Sequence, residues 1–195
     1  MEAGRPGDGA GAMKKTRTKT LARNELIRRA KNIRLVLADN DGVMTDTGVY
    51  YSEKGEAFKR FSIRDGMGVE LLRKADVMTA IITGERSESV ERRSEKLKLP
   101  YLYLGVNDKR AHLDKVLQET GLALDQIAYI GDDVNDLDAI NVISRVGLTG
   151  APGDAMPVVR RSVHYQCEVN GGDGAFREFA EWILGLRQSH AARQD

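Results

Sequence analysis

Short continuous apolar runs alternate along the chain with longer segments whose apolar residues recur every three or four positions. Four such runs lie at residues 35–38, 77–82, 101–105 and 127–130. A run of this kind is typical of a strand buried on both faces of a parallel sheet, whereas the longer spacing is typical of a helix with one buried face. The alternation predicts an α/β fold with a doubly wound, mostly parallel sheet.

Several further elements are predicted from local signals. Two short strands are expected at residues 145–148 and 162–165, a first helix at residues 21–32, and a last helix at residues 175–187. Ser87 and either Asn107 or Asp108 are placed to cap the N-termini of helices with their side chains.

The segment at residues 47–63 differs from the rest because it is rich in aromatic residues. Residues 48–52 and 57–61 have strand-like composition, and they flank Gly55, which suits a turn. The segment therefore predicts a β-hairpin inserted after the first strand. Because an isolated hairpin is at best marginally stable, its aromatic side chains are expected to pack on the core or on another subunit.

The chain has 195 residues, which suits one domain with a sizeable core. That domain is expected to span residues 20–188. Residues 1–19 are rich first in Gly, Ala and Pro and then in Lys and Arg, which predicts a disordered basic tail. The basic run is interpreted as solvated rather than as an arm for nucleic acid or membrane. A second tail is expected at residues 189–195.

Charge and composition narrow the classes of function. The net charge of +1 carries no signal for binding a polyanion. No apolar run approaches the ~18 residues of a membrane-spanning helix. The single cysteine, Cys167, excludes an internal disulfide and fits a reducing compartment. A cytoplasmic protein without nucleic-acid or membrane partners is expected.

Polar residues cluster where the predicted strands end. Because the carboxyl ends of parallel strands share one edge of a sheet, these side chains can converge there. Carboxylates that approach one another repel, and hard oxygen ligands favour Mg²⁺, so the cluster predicts a magnesium site. The members are Asp39 and Asp41 after the first strand, Thr83 after the second, Asp132, Asp133 and Asp136 after the fourth, and Lys109 in the first turn of a helix.

Taken in order, these residues resemble the four signatures of the haloacid dehalogenase (HAD) phosphohydrolases over roughly residues 33–140. The resemblance implies that Asp39 is the nucleophile, which becomes an aspartyl phosphate. It implies that Asp41 is the general acid and then the general base. Thr83 and Lys109 would bind the oxygens of the phosphoryl group.

The same resemblance implies a metal site and its surroundings. Mg²⁺ would be held by Asp39, the backbone carbonyl of Asp41 and Asp132, with Asp133 and Asp136 orienting the lysine and the metal-bound waters. Two remote alternatives are a phospho-acceptor signalling domain and a non-catalytic regulatory subunit. Phospho-acceptor domains lack the Asp-x-Asp-Gly motif that this chain has at residues 39–42. The intact Asp39 and Asp41 argue against a non-catalytic subunit.

The rest of the chain resembles a narrower group, the lidless HAD phosphatases of 3-deoxy-D-manno-octulosonate 8-phosphate (KDO 8-phosphate). The resemblance implies a sugar acid phosphate as substrate and a homotetramer with no cap domain. Its hairpins would meet through Tyr50, Tyr51 and Phe58, and the loop at residues 171–174 would reach an active site. The matching features are the hairpin, Arg64-Asp65-Gly66-x-Gly68 and Gly171-Gly172-x-Gly174-Ala175-Phe176-Arg177-Glu178.

Three positions depart from that group. Glu85 stands where arginine is usual, and together with Lys96 it resembles the sister phosphatases of 2-keto-3-deoxynononate (KDN) 9-phosphate or N-acetylneuraminate 9-phosphate. Asp173 stands where a basic residue is common. KDO 8-phosphate is the leading substrate, and a nine-carbon acid is the alternative. Arg93 or Arg177 would suit recognition of the substrate carboxylate, because an arginine can bind a carboxylate with two parallel hydrogen bonds. The residues expected to recognise the substrate are Arg64, Glu85, Arg93, Lys96 and Arg177.

Overall fold

Residues 21–189, which a computed structural model describes, form one six-stranded sheet, a separate hairpin and seven α-helices. The predicted tails at residues 1–19 and 189–195 lie outside this range, apart from Ser189. The strands are β1 Leu35–Ala38, β2 Thr45–Ser52, β3 Gly55–Phe61, β4 Met78–Ile82, β5 Tyr101–Tyr103, β6 Ile127–Ile130, β7 Leu148–Ala151 and β8 Tyr165–Gln166. The helices are α1 Arg23–Asn32, α2 Ile63–Lys74, α3 Glu88–Leu97, α4 Lys109–Thr120, α5 Leu137–Ile143, α6 Pro157–Arg160 and α7 Ala175–Gln188.

The first apolar run, β1, lies inside the main sheet, whose strand order is β5-β4-β1-β6-β7-β8. Every pairing in this sheet is parallel. Ala38 at the end of β1 is level with Ile81 of β4 and Ile130 of β6. These strands therefore end side by side, and the residues that follow them share one edge of the sheet.

The helices cover both faces of the sheet and enclose two apolar clusters. One cluster includes Ile27 of α1, Leu72 of α2 and Phe179 of α7. The other includes Leu113 of α4 and Ile140 of α5. Burying one such side chain stabilises the fold by about 1.5–3 kcal/mol. The arrangement confirms the prediction of a doubly wound α/β sheet. Within residues 21–189, no helix is both long and apolar enough to cross a membrane.

The strand predicted at residues 145–148 was wrong, because only Leu148 of that run belongs to β7. Arg29 of α1 explains the difference. Its guanidinium donates to the carbonyl oxygens of Ser144, Arg145 and Gly147, each at 2.9 Å. A side chain thus satisfies backbone acceptors that would otherwise pair in a sheet. The strand predicted at residues 162–165 similarly begins only at its last residue.

The hairpin of β2 and β3 forms its own antiparallel sheet after β1, as predicted. Phe61 of the hairpin packs on the core, one of the two places that the sequence allowed, but Tyr50, Tyr51 and Phe58 do not. Tyr50 and Phe58 stack with ring centroids 4.9 Å apart, yet they are 53% and 59% exposed. Tyr51 is 76% exposed. The hairpin therefore presents an aromatic face to its surroundings.

The predicted helix caps differ in outcome. Asp108 caps α4, since its carboxylate accepts from the N–H of Ala111 at 2.8 Å, and Gly121 ends that helix in the left-handed region. Ser87 does occupy the N-cap position of α3, but its side chain makes no capping hydrogen bond. The hydroxyl of Ser87 instead donates to Glu56 of the hairpin. Ser87 is therefore the N-cap residue of α3, as predicted, although its hydroxyl binds the hairpin rather than the helix backbone.

Candidate active site

The ends of β1 and β4 deliver two predicted catalytic residues to the same edge of the sheet. Asp39 directly follows β1, and its N–H donates to the carbonyl of Ile130 in β6 at 2.9 Å. Thr83 follows β4, and its N–H donates to the carbonyl of Tyr103 in β5 at 2.9 Å. Both side chains are buried. The sheet ladder thus continues through the first residue of each motif and holds it rigidly.

Lys109 joins Asp39 to Asp136 in a buried ion-pair network. Its Nζ lies 2.8 Å from Oδ2 of Asp39 and 2.6 Å from Oδ1 of Asp136, and 1% of its side chain is exposed. Burial opposes the charge, but the two carboxylates raise the pKa of Lys109 above its ordinary value. The helix dipole disfavours a cation in the first turn of α4. Its partners, rather than the helix, therefore explain its position.

Asp136 is held by hydrogen bonds on both of its oxygens. Besides Lys109, Oδ1 accepts from the hydroxyl of Tyr129 at 2.5 Å. Oδ2 accepts from the backbone N–H groups of Asp132 and Asp133, at 2.9 and 3.3 Å. With both oxygens in use, Asp136 orients Lys109 and shapes the turn after β6.

Asp133 has a different environment from Asp136, although the sequence predicted the same role for both. Asp133 is exposed, and its Oδ1 accepts from the N–H of Val134 at 2.6 Å. It therefore caps the short 3-10 helix Val134–Asp136. In this structure the lysine is oriented by Asp136, and Asp133 stabilises the turn.

The site can hold a divalent cation beside Asp39 and Asp132. Carboxylate oxygens of Asp39, Asp132 and Asp136 all lie within 4.8 Å of one another. Oδ1 of Asp132 is buried and has no hydrogen-bond partner within residues 21–189. A buried carboxylate oxygen without a partner is unfavourable unless a cation binds it. Both oxygens of Asp136 are hydrogen-bonded, and those of Asp39 contact the N–H of Asn40 and Nζ of Lys109. Asp132 therefore offers the unpartnered ligand atom, and Asp39 would have to share its oxygens with the cation.

Gly42 provides the space that Asp132 needs. Its φ of +86° lies in the left-handed region, and a Cβ built at this position would lie 2.0 Å from Oδ2 of Asp132. The turn after Asp39 must therefore carry glycine for two reasons, conformation and contact. The missing side chain lets the backbone at Gly42 lie directly against the carboxylate of Asp132.

The acidic residues of the site repel one another in the absence of a cation. Burial, together with the charge of Asp136, raises the pKa of Asp39 to about 7, although Lys109 opposes this shift. Burial and the charges of Asp39 and Asp136 raise the pKa of Asp132 to about 8. A divalent cation would favour the ionised form of both carboxylates.

The carboxylate of Asp41 points to the hairpin rather than to the other aspartates. Its Oδ1 lies 2.7 Å from Nζ of Lys59 in β3. The side-chain amide of Asn40 donates to the same oxygen at 3.1 Å. Oδ2 of Asp41 is buried and finds no hydrogen-bond partner in the described part of the chain. The two oxygens of Asp41 are therefore chemically distinct.

The loop at residues 171–174 packs on residues 39–46 of its own chain, the acidic turn that follows β1. A Cβ built at Gly171 would lie 1.9 Å from the carbonyl oxygen of Gly42, so the two backbones are in contact. Arg60 of the hairpin donates to Asp173 at 2.9 Å. The acidic residue at position 173, where a basic one is common, thus has a basic partner within the chain.

The two arginines expected to bind a carboxylate already have partners. Arg93 donates from Nη2 to the carbonyl of Ser62 at 2.8 Å, and its guanidinium lies 5.7 Å from the ring centroid of Phe61. Arg177 donates from Nε to Glu181 at 2.9 Å. Either arginine would have to share or exchange these contacts in order to bind a carboxylate with two hydrogen bonds.

The other predicted substrate residues are exposed. Arg64 lies beside the 171–174 loop, since a Cβ built at Gly174 would be 3.6 Å from its Cδ. Glu85 follows Thr83, and its N–H lies 3.3 Å from the hydroxyl of Thr83. Lys96 projects from the last turn of α3. Their roles in substrate recognition stay predictions.

Two residues of the site were missed by the sequence reasoning. Lys59 contacts Asp41, and Tyr129 contacts Asp136. Strand alternation could have found Lys59, because it lies on the same face of β3 as Phe61, which packs on the core. Tyr129 lies in an otherwise aliphatic run, where a buried hydroxyl needs a partner.

Comparisons with known proteins agree on one group. No protein-family model matches the chain. The 3-deoxy-D-manno-octulosonate 8-phosphate phosphatase KdsC of Yersinia pestis is 40% identical over 161 residues, which are 83% of this chain and 84% of that protein. The cobalt-bound deoxy-D-mannose-octulosonate 8-phosphate phosphatase (YrbI) from Haemophilus influenzae has a TM-score of 0.77 and 36% identity, covering 82% of this chain and 91% of that one. The Moraxella catarrhalis enzyme, in complex with magnesium, phosphate and KDO, has a TM-score of 0.77 and 34% identity, covering 84% and 92%.

The parallel sheet and the order of the four motifs define a phosphohydrolase of the HAD superfamily. Within that class, the three phosphatases named above are 34–40% identical to this chain and match more than 80% of it, which shows the family. The chain belongs to the 3-deoxy-D-manno-octulosonate 8-phosphate phosphatase family. The similarity to a nine-carbon sister group, predicted from Glu85 and Lys96, receives no support from these relatives.

Proposed function

We propose that the protein is a Mg²⁺-dependent phosphatase that hydrolyses 3-deoxy-D-manno-octulosonate 8-phosphate through an aspartyl phosphate. The observation that carries this proposal is the buried pair of Asp39 and Lys109 beside an Asp132 oxygen that has no hydrogen-bond partner among residues 21–189. A nucleophile, a cation for the phosphoryl group and a vacant oxygen ligand thus lie at one sheet edge. The names of the relatives and the KDO bound to the Moraxella enzyme support the choice of substrate.

In the first half-reaction, a carboxylate oxygen of Asp39 attacks phosphorus and forms the acyl phosphate bond. The bond from phosphorus to the ester oxygen breaks, and a proton from Asp41 goes to that oxygen, so the sugar acid leaves as an alcohol. Lys109 and Thr83 stabilise the phosphoryl oxygens as charge moves towards the leaving group.

In the second half-reaction, Asp41 acts in the opposite direction. Its carboxylate takes a proton from water, and the water oxygen attacks phosphorus. The bond from phosphorus to Asp39 breaks, so phosphate leaves with Asp39 ionised and Asp41 protonated. The enzyme is then ready for another cycle.

Asp39, the backbone carbonyl of Asp41 and Asp132 would hold Mg²⁺. When bound, the cation supplies positive charge that keeps the carboxylates ionised and offsets the repulsion between nucleophile and phosphate. The magnesium in the Moraxella complex and the cobalt in the Haemophilus structure support a divalent ion.

The aromatic face of the hairpin supports a homotetramer in the proposed function. Tyr50 and Phe58 stack on an exposed face of the hairpin, and the neighbouring Tyr51 is also exposed. Exposed aromatic patches are enriched at protein interfaces. The buried free thiol of Cys167 suits the reducing cytoplasm in which we place the enzyme.

The test is phosphate release with Mg²⁺ from KDO 8-phosphate, KDN 9-phosphate, N-acetylneuraminate 9-phosphate and an aryl phosphate. We expect the eight-carbon ester to be hydrolysed with the highest kcat/KM. Asp39→Asn should abolish turnover and leave the melting temperature within a few degrees of wild type. A preference for a nine-carbon ester would overturn the substrate and assign specificity to Glu85 and Lys96. Near-normal turnover by Asp39→Asn would refute the nucleophile.

A further inference from the structure

We propose that Lys59 of the hairpin is a positioning residue for the general acid, because it binds one oxygen of Asp41 and leaves the other to carry the transferred proton. This inference rests on the proposed phosphatase function. It adds a residue outside the four HAD motifs and gives the hairpin a part in the chemistry.

The burial of Lys59 is the first observation. Its side chain is 1% exposed, whereas the neighbouring Phe58 is 59% exposed. Strand alternation thus turns a phenylalanine outwards and an ammonium group inwards, against the ordinary preference of both residues. Burying an ammonium group is unfavourable unless partners compensate. An inverted pattern of this kind indicates that the ammonium has a task inside.

The contacts of Asp41 define that task. Oδ1 accepts hydrogen bonds from Nζ of Lys59 at 2.7 Å and from the side-chain amide of Asn40 at 3.1 Å. The hydroxyl of Thr45 lies 3.4 Å from the same oxygen. Oδ2 is buried and has no hydrogen-bond partner in residues 21–189. The proton of a carboxylic acid belongs on the oxygen that does not face an ammonium group. Lys59 therefore selects Oδ2 as the oxygen that delivers the proton.

A second set of contacts holds Lys59 itself. Its Nζ lies 3.6 Å from Oε2 of Glu56, and Oε1 of Glu56 accepts from the hydroxyl of Ser87 at the start of α3. Lys59 is thus placed between the catalytic turn and a carboxylate that is tied to the helix after the Thr83 motif. The hairpin is fixed to the core at the level of the active site.

The step that depends on this geometry is the departure of the alcohol. As the bond from phosphorus to the ester oxygen breaks, the proton on Oδ2 of Asp41 moves to that oxygen, and Asp41 is left as a carboxylate facing the ammonium of Lys59. A poor leaving group, such as a sugar alcohol, needs that proton. A nitrophenolate leaves without it.

The experiment measures the first half-reaction by rapid quench, with KDO 8-phosphate and with 4-nitrophenyl phosphate. For Lys59→Met we expect the rate to fall about 100-fold with the sugar ester and less than about threefold with the aryl ester. Lys59→Arg should recover most of the loss. Lys54→Met, which removes an exposed lysine of the same hairpin, should match wild type on both esters.

A double variant separates positioning from mere stability. In an Asp41→Asn background, Lys59→Met should cause no further loss with the sugar ester, since both changes remove the same proton transfer. Equal losses on both esters, or additive losses in the double variant, would overturn the proposal. If Lys59→Met fails to fold, Lys59→Gln tests the same ratio of the two rates. Failure of wild type to hydrolyse any ester would instead reject the proposed function.

Discussion

Two buried lysines serve the same motif from different parts of the molecule. Lys109 begins α4 in the α/β core and binds Asp39, whereas Lys59 lies in the hairpin and binds Asp41. Each ammonium is 1% exposed and lies within 2.8 Å of its carboxylate. The proposed nucleophile therefore has its lysine partner in the core, and the proposed general acid has its lysine partner in the hairpin. Two neighbouring carboxylates of the acidic turn thus differ in their proposed roles because each is paired with a lysine from a different element, α4 or β3.

Replacing Lys109 tests the difference between the two lysines with the largest expected effect. Lys109→Met should lower the rate of the first half-reaction about 10³-fold, because the phosphoryl oxygens lose a donor and Asp39 loses its partner. In contrast with Lys59→Met, the loss should be similar for sugar and aryl esters, since the proposed partners of Lys109 are Asp39 and the phosphoryl oxygens, which both esters share. Rapid-quench rates on both esters check this. A loss confined to the sugar ester would contradict the division of roles.

A second test enlarges the glycine against the metal site. Gly42→Ala should weaken Mg²⁺ binding about 10–100-fold, because the new methyl group displaces the carboxylate of Asp132. Calorimetric titration with Mg²⁺ measures the effect. Gly121→Ala is a matched control, since Gly121 also has a positive φ, of +68°, but a Cβ there would meet nothing within 4 Å. Equal losses of affinity in both variants would assign the effect to backbone strain.

A third test uses pH and metal removal. Asp39 and Asp132 have pKa values raised to about 7 and about 8 in the folded protein, against about 3.9 when unfolded. Between about pH 4 and about pH 8 the folded chain therefore binds more protons than the unfolded chain. The metal-free protein loses stability as the pH rises through this range. Mg²⁺ removes this penalty, and its effect on the melting temperature should grow with pH.

Thermal melts in EDTA and in saturating Mg²⁺, at pH 5.5 and pH 8, check the third prediction. The gain from Mg²⁺ should be larger at pH 8. Asp132→Asn should show little gain at either pH, because it lacks the ligand oxygen. A gain of equal size at both pH values would contradict the assigned cause.

The smallest effect on chemistry is expected at the outer face of the hairpin. Replacing the stacked pair Tyr50 and Phe58 by serine should shift the assembly towards smaller species, as measured by light scattering, because it removes exposed aromatic surface. The ratio of rates on sugar and aryl esters should stay near that of wild type, since Lys59 faces the other way. Val158→Ser, at a partly exposed apolar residue of α6, is the control. A wild-type monomer would refute the tetramer.

Much of the fold and part of the candidate site could be predicted from local patterns. β6 was predicted at residues 127–130 and is found there, because a continuous apolar run between turn signals has few other interpretations. Asp39, Thr83 and Asp132 could be placed at one edge, because parallel strands must end together. The strand at residues 145–148 could not be placed, since Arg29 of a distant helix binds the carbonyls there.

The sequence by itself determined the α/β class, the hairpin, the residues that follow each strand and the lysine at the start of α4. These depend on periodicity and on neighbours in the chain, which local physics controls. Only the tertiary structure decided that the inward-facing Lys59 meets Asp41, that Asp136 uses both oxygens and that the 171–174 loop packs on the acidic turn. Such contacts depend on how separate elements approach one another. Long-range packing sets that approach, and it leaves no periodic trace in the chain.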